Sequence, residues 1–237
     1  MISFIVPAHN EARLIGPTLE ALHTAALAAG RRYELIVVDD ASDDDTARIA
    51  AAAGARVVPV EYRHIAATRN AGARAAAGDT LVFVDADTLV PVGTLRDALD
   101  ALDGGAAGGG ARLQLHGRLR WVQRVVLRFV TWLLRIARIA PGCFVFCTAA
   151  AYAASGGFDE RYYAGEDVAF SRALARHGRF VVLRAPVSSS ARKLRTHSLL
   201  DHLRLLAHFA RRRRGLLRSR QGLDLWYGER RHEPDHD

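Results

Sequence analysis

A chain of 237 residues, half of them apolar, can bury a sizeable core and suits one large domain, or one domain with a C-terminal appendage. Its two cysteines cannot complete a structural zinc site, and no run of about 20 apolar residues lacks charge, so neither a zinc module nor a membrane-spanning helix is expected. The net charge of +8 hides a division: residues 1–103 carry 15 acids against 9 arginines, and residues 104–237 carry 10 acids against 24 bases.

In chain order, Ser3 to Pro7 reads as a first strand stopped by proline, and Asn10-Glu11 opens a helix through about Ala29 that Gly30 closes. Glu34 to Val38 is a second strand ending in Asp39-Asp40. Ser42 to Thr46 caps a short Ala-rich helix reaching Ala53-Gly54. Arg56 to Val60 is a third strand, Ile65 to Ala77 a helix, and Leu81 to Val84 a fourth, buried strand. This alternation predicts βαβ units and an α/β fold with a mostly parallel central sheet flanked by helices. No G-x-G-x-x-G follows the first strand, so a dinucleotide site is not supported. Met1-Ile2-Ser3-Phe4 shows no signal-peptide pattern.

Further on, Pro91 to Leu102 reads as a helix, Gly104 to Gly110 as a flexible link, and Arg112 to His116 as a strand. A long helix is expected from Arg118 to Ala140, stopped by Pro141. Cys143 and Cys147 lie in an apolar run and read as packing residues in a reducing compartment. Thr148 to Ala154 is a short helix, Glu166-Asp167 opens another that stops at His177-Gly178, and Arg179 to Leu183 is the last strand. A basic helix follows from about Ser198 to Arg214, then a mobile tail beyond Gly228.

Three acidic clusters fall at element ends: Asp39-Asp40, Asp85-Ala86-Asp87 and Glu166-Asp167. Asp85 and Asp87 are hard oxygen ligands that repel each other unless a cation lies between them. In an open α/β sheet, ligands bind beyond the carboxyl ends of the strands. One reading is therefore a Mg²⁺ or Mn²⁺ site that also holds a phosphorylated ligand; the other is a solvated strand end. Asp39-Asp40 could accept from a base N–H or a ribose hydroxyl, or form a polar cap. Pro7-Ala8-His9-Asn10-Glu11 sits at the same edge, where its backbone and Glu11 could line a nucleoside pocket; Glu11 is also a favourable charge for a helix's first turn. Arg69-Asn70 could cover phosphates, or Arg69 could be a solvated arginine. His9 and His64 read as surface histidines, and Glu166-Asp167 as acids at a helix start.

Ser3-Phe4-Ile5-Val6-Pro7-Ala8-His9-Asn10-Glu11, Val37-Val38-Asp39-Asp40-Ala41-Ser42, Arg69-Asn70-Ala71-Gly72, Asp85-Ala86-Asp87, and Gly156-Gly157-Phe158-Asp159-Glu160 followed by Gly165-Glu166-Asp167 occur in the order seen in family-2 glycosyltransferases. Over about residues 2–184 the chain resembles that family, and the resemblance implies a GT-A nucleotide-diphospho-sugar transferase fold. It implies that Asp40 contacts the base of a UDP- or GDP-sugar; by their own positions Pro7, Ala8, Asn10, Glu11, Arg69, Ala86, Glu166 and Arg192 are the further donor-site candidates. It further implies that Asp85 leans toward the ribose, that Asp87 with Asp85 binds the metal, Mn²⁺ or Mg²⁺, and that Asp167 is the base in an inverting transfer. A glycosyl transfer needs its leaving diphosphate neutralised and its acceptor deprotonated, and these residue types suit both tasks. A retaining transferase of the same fold and a non-catalytic nucleotide-binding scaffold are the alternatives. No Q-x-x-R-W follows Asp167, which disfavours a processive polysaccharide synthase. Ser188 to His197 stands there instead; its bases could clamp a diphosphate and His197 could add a nitrogen ligand to the metal, as a downstream His does in some relatives. The plainer reading is a mobile basic loop. The expected organisation is a GT-A domain over 1–190, with a nucleotide-binding half (1–103) and an acceptor half (104–190), then a basic helical extension over 191–237.

On the helix expected from Arg118, Arg120, Arg124, Arg128, Arg135 and Arg138 share one arc, with Trp121, Phe129 and Trp132 opposite. Leu199, Leu203, Leu206 and Phe209, then Arg211 to Arg214, form a second basic amphipathic stretch. Such faces suit an anionic membrane surface, with a lipid or lipid-linked acceptor; a core-packed helix with a solvated stripe is the alternative for the first. No recognised nucleic-acid fold accompanies the arginines, so nucleic acid is not an expected partner. The expected location is cytoplasmic, peripheral at the inner membrane face.

Overall fold

The computed structural model describes residues 1–116, 140 and 142–190. Eight strands form one sheet in the order β3-β2-β1-β4-β7-β6-β8-β5. They are β1 (Ile2–Ala8), β2 (Tyr33–Asp40), β3 (Arg56–Val60), β4 (Thr80–Val84), β5 (Thr88–Leu89), β6 (Ala106–His116), β7 (Phe144–Thr148) and β8 (Arg179–Ser190). The helices are α1 (Ile15–Ala29), α2 (Thr46–Ala52), α3 (Ile65–Ala75), α4 (Val92–Asp103), α5 (Ala149–Ser155) and α6 (Glu166–Leu174). β3, β2, β1 and β4 run parallel, β7 returns antiparallel between β4 and β6, and β6 and β8 are again parallel.

Alternation along the central strands divides the core in two. Phe4, Val6, Val37, Val82 and Val84 pack on one face with Leu19, Leu22 and Leu95 of α1 and α4. Ile5, Ile36, Val38, Leu81 and Phe83 pack on the other with Ala66, Phe158 and Phe170. Successive strand residues point to opposite faces, so a continuous apolar run marks a strand buried on both. Phe83 meets the rings of Phe158 and Phe170 edge-on at centroid distances of 5.0 and 6.0 Å. Such pairs add about 0.5–1.5 kcal/mol to the area term.

The first helix starts at Ile15, later than Asn10. Asn10 is left-handed (φ 52°), and residues 10–12 are tied to the loop before α2. Asn10 N–H donates to Ser42 Oγ (3.0 Å), Glu11 N–H to Thr46 Oγ1 (2.7 Å), and Asp43 N–H to Asn10 Oδ1 (2.9 Å). Those bonds hold the segment in a loop that caps neither helix alone but binds both starts together.

The expected link over Gly104 to Gly110 is wrong: most of it is strand β6. A Cβ on Gly109 would lie 2.1 Å from the Val181 carbonyl oxygen of β8. Glycine is present because neighbouring backbone fills the space, and strand pairing overrides its poor propensity. The apolar run from Cys143 to Cys147, expected only to pack, instead supplies most of β7, whose partners β4 and β6 are distant in sequence. β8 continues past Leu183 to Ser190 through an irregularity that sets Pro186 opposite Arg112. Ser188 and Ser189 are therefore paired with Leu89 and Thr88 of β5, and the loop expected from Ser188 begins as strand. The helices expected over 118–140 and 198–214, and the extension over 191–237, lie outside the described residues.

Candidate active site

Parallel pairing sets Ala8 opposite Asp39 and aligns β4 beside β1, so the carboxyl ends of three strands share one rim. The Asp85-Ala86-Asp87 turn leaves β4 at that rim and is fixed through its backbone. Asp85 N–H donates to the Cys143 carbonyl (3.1 Å), Thr88 N–H to the Asp85 carbonyl (3.0 Å), and Thr18 Oγ1 to the Ala86 carbonyl (2.9 Å). The side chains are held as well. Asp85 Oδ1 accepts from Arg69 Nη2 (2.8 Å), and Asp87 Oδ1 accepts from Ser189 Oγ (3.1 Å) and Thr88 Oγ1 (3.3 Å). These contacts use Oδ1 of each carboxylate and leave Oδ2 as the oxygen to offer a cation.

Arg69 is 2% exposed, not the solvated arginine that the sequence left open. Nη1 donates to Glu166 Oε1 (2.8 Å), and Nη2 also donates to the Gly142 carbonyl (3.0 Å). Its Cζ lies 5.2 Å from the centroid of the Phe158 ring. Burial opposes the charge, but Asp85 and Glu166 outweigh it and hold the guanidinium protonated.

Glu166 and Asp167 form the first turn of α6 after left-handed Gly165 (φ 75°). Burial pushes the Glu166 carboxyl up to about 7 against the pull of Arg69. Asp167 is also raised by burial, again opposed by Arg69. Asp167 Oδ2 accepts from Gly142 N–H (2.9 Å) and Oδ1 from Val168 N–H (2.8 Å). Cys143, buried beside this cluster, is raised far above an ordinary thiol by burial, then by Asp85 and Asp87, so it stays a neutral packing group.

Asp40 is committed to the start of α3. Oδ1 accepts from Arg63 N–H (2.8 Å), and Oδ2 from His64 N–H (3.1 Å) and Thr68 Oγ1 (2.8 Å). A carboxylate has about four acceptor sites, so these three donors leave little capacity for a base. Asp39 Oδ1 is buried without a hydrogen-bond partner. His64 is not a surface histidine: it is buried at the N-cap of α3, accepts from Ala67 N–H (3.4 Å), and packs 4.4 Å from the Tyr163 ring. Desolvation lowers its pKa. Pro7, Ala8, Asn10 and Glu11 lie at the rim, with Glu11 buried. Arg192 and His197 lie outside the described residues.

Sequence reasoning missed Gly142, Ser189 and the role of Asn70. The Asn70 amide is saturated: Nδ2 donates to the Phe158 carbonyl and to Glu160 Oε1 (both 2.9 Å), and Oδ1 accepts from Phe158 N–H (2.9 Å) and Tyr152 Oη (2.7 Å). Its place beside Arg69 on one helix was the available signal.

Among the described residues no group of three or more His, Cys, Asp or Glu could enclose a metal. Two carboxylates nonetheless fit Mg²⁺ or Mn²⁺ that is completed by substrate phosphates, since such ions are usually held by one or two carboxylates rather than by an all-protein cage. Among the described residues no helix is long and apolar enough to cross a membrane.

The model of the family "Glycosyl transferase family 2" matches residues 3–151. An uncharacterized glycosyltransferase of Mycobacterium bovis is 33% identical over 142 residues, 59% of this chain and 62% of the relative. An undecaprenyl-phosphate 4-deoxy-4-formamido-L-arabinose transferase of Klebsiella pneumoniae is 35% identical over 98 residues, 38% of this chain and 30% of the relative. The chain thus spans less than two thirds of these curated relatives. A mannosyltransferase from Pyrobaculum calidifontis, solved with GDP-Man and Mn²⁺, superposes with a TM-score of 0.66 at 21% identity, covering 87% of this chain and 64% of that one. Glucosyl-3-phosphoglycerate synthase from Mycobacterium tuberculosis, solved with Mn²⁺, UDP and glucosyl-3-phosphoglycerate, gives 0.59 at 20% identity, covering 88% and 76%. At these identities the structures share the fold, and it is the GT-A fold expected from the sequence.

Proposed function

Since the chain belongs to glycosyl transferase family 2, with a match over residues 3–151, we propose that it is a metal-dependent, inverting glycosyltransferase acting on a nucleotide-sugar donor. The observation that carries the reading is the meeting of two acidic motifs: Arg69 spans from Asp85 to Glu166, at 2.8 Å from each. One side chain thus joins the donor-side Asp85 to the residue next to Asp167, the proposed base.

In this reading residues 1–103 hold the nucleotide and residues 104–190 the acceptor, followed by a basic extension over 191–237. Pro7, Ala8, Asn10 and Glu11 line the nucleoside. Asp40, with both oxygens engaged by Arg63, His64 and Thr68, orders the start of α3 beside the nucleoside rather than reading the base itself. Asp87, with Asp85, would hold Mn²⁺ or Mg²⁺, which when bound neutralises charge on the leaving diphosphate. Asp167 takes the acceptor's hydroxyl proton; the alkoxide oxygen bonds to the anomeric carbon from the opposite face, and the diphosphate departs with the electron pair of the broken C–O bond. Burial raises Asp167, which makes its carboxylate a stronger base than an exposed one. The two backbone N–H bonds that Asp167 accepts hold it in place.

Mn²⁺ with GDP-Man or UDP in the similar structures supports a nucleoside diphosphate and a divalent cation here. The name of the Klebsiella relative, together with the basic second half of this chain, supports a lipid or lipid-linked acceptor met at an anionic membrane surface, at the cytoplasmic face. The test is a panel of UDP- and GDP-sugars, with and without Mn²⁺, assayed for donor hydrolysis and transfer. Asp87→Ala should abolish turnover and weaken donor binding, while Asp167→Asn should abolish transfer with donor binding intact. Absence of any metal-dependent donor turnover would favour a scaffold that kept the fold.

A further inference from the structure

We propose that Arg69 is a positioning residue, a buried clamp that fixes the distance between the donor-binding carboxylates and the base. The proposal rests on the glycosyl-transfer reading above and assigns Arg69 a task other than contact with phosphate.

The guanidinium makes three hydrogen bonds from its two terminal nitrogens, to Asp85 Oδ1, Glu166 Oε1 and the Gly142 carbonyl. Asp85 belongs to the turn after β4, and Glu166 begins α6. No other ion pair among the described residues joins these two elements. The Gly142 peptide carries the constraint onward. Its carbonyl accepts from Arg69, and its N–H donates to Asp167 Oδ2 at 2.9 Å. Arg69 therefore reaches the base through two routes, the adjacent Glu166 and a single glycine residue. The next carbonyl, that of Cys143, accepts from Asp85 N–H, so the strap returns to the donor side.

The surroundings make the clamp rigid. The Phe158 ring faces the guanidinium at 5.2 Å and helps exclude water. Asn70, the next residue of α3, binds both the N–H and the carbonyl of Phe158. A planar fork pre-organised on both partners is a task for arginine: lysine offers one rotatable ammonium and cannot reproduce the fork. Breaking a buried pair also leaves its partners uncompensated, and here two carboxylates would lose one cation together.

Arg69→Lys is the decisive variant, with Arg69→Met and Glu166→Met beside it. The measurements are dissociation constants of UDP and GDP with and without Mn²⁺, and kcat and KM for turnover of the donor the wild type uses. Misplacement of a reacting group by about 1 Å can cost about 100-fold in rate. Arg69→Lys should therefore lose about 100-fold in kcat and several-fold in Mn²⁺-dependent nucleoside diphosphate affinity, while remaining folded. Glu166→Met removes the acceptor of Arg69 Nη1 but keeps the Arg69–Asp85 bond, so kcat should fall while nucleoside diphosphate affinity holds within about twofold. If both Arg69 variants fail to fold, Glu166→Met decides: unchanged kcat, or lost nucleoside diphosphate affinity, overturns the clamp. A folded Arg69→Lys with kcat and affinity within about twofold of wild type also overturns it, since a merely structural arginine would move only the melting temperature. Wild-type protein without Mn²⁺-dependent nucleoside diphosphate binding would defeat the functional reading and the clamp together; wild-type binding and turnover with an indifferent Arg69→Lys would defeat the clamp alone.

Discussion

Replacing Asn70 by alanine should destabilise the protein without touching its hydrophobic core. The side chain is 6% exposed and makes four hydrogen bonds, two of them to the backbone of Phe158. Alanine leaves the Phe158 N–H and carbonyl without partners in a buried setting, and each such group costs about 1–3 kcal/mol. Tyr152 is half-buried and Glu160 exposed, and both can turn toward water, so the loss should come chiefly from Phe158, about 3 kcal/mol. That is a large part of the 5–15 kcal/mol typical of a domain. In urea, with a slope of about 2 kcal/mol per molar, the midpoint should fall by about 1.5 M at unchanged slope. Asn70→Asp should do no better, because it replaces the donating amide with an oxygen that faces the Phe158 carbonyl and the Glu160 carboxylate. A midpoint for Asn70→Ala within about 0.3 M of wild type would refute the reasoning, since two buried backbone groups cannot lose their partners at so small a cost.

The acidic limb of the transfer rate should lie above the ordinary carboxylate range, because burial raises Asp167 and the base must be ionised to act; a pH–kcat profile reads it, and a limb at pH 4 or below would refute it. Stability should respond in the opposite sense. The Glu166 pKa is about 7 in the fold against about 4.3 unfolded, so its contribution is full below the lower value and is lost as pH rises through the upper; Glu166→Gln should flatten urea stability between pH 5 and 8. Gly72→Ala should cost about 1–2 kcal/mol despite the better helix propensity of alanine, because its Cβ would lie 2.3 Å from Ile5 Cγ2; thermal unfolding measures it. Ser189→Ala removes a donor to Asp87 and should weaken Mn²⁺-dependent UDP or GDP binding several-fold, read by titration calorimetry. Chelation of Mn²⁺ by EDTA in the presence of UDP or GDP should lower the melting temperature if the metal and nucleotide bind the native state together.

The first half of the fold was legible because its strands are short apolar runs punctuated by turn residues, as at Ser3 to Pro7 and Leu81 to Val84. Periodicity carries such elements without help from the rest of the chain. Gly108 to Gly110 defeated the same reasoning. Glycine argues locally for a loop, and only the Val181 carbonyl and the Phe146 backbone, distant in sequence, make it a strand. The site divides in the same way. Asp85, Asp87, Glu166 and Asp167 stood out as charges at element ends. Nothing in a run of residues says that Asp40 turns to cap α3, that His64 is buried, or that Arg69 finds its counter-ions far away in sequence. Those are properties of which elements meet, and a linear pattern records them only faintly.

The tight approach at Gly109 limits how this protein could be altered. At Gly109 the Val181 carbonyl of β8 and the Phe146 ring of β7 come so close that no side chain fits. If the proposed activity holds, changes of preference are to be sought in the loops of the rim, with the strand seam at Gly109 left as a fixed frame. A library that randomises the seam should yield chiefly inactive variants; one that randomises the rim should yield new preferences on an unaltered frame.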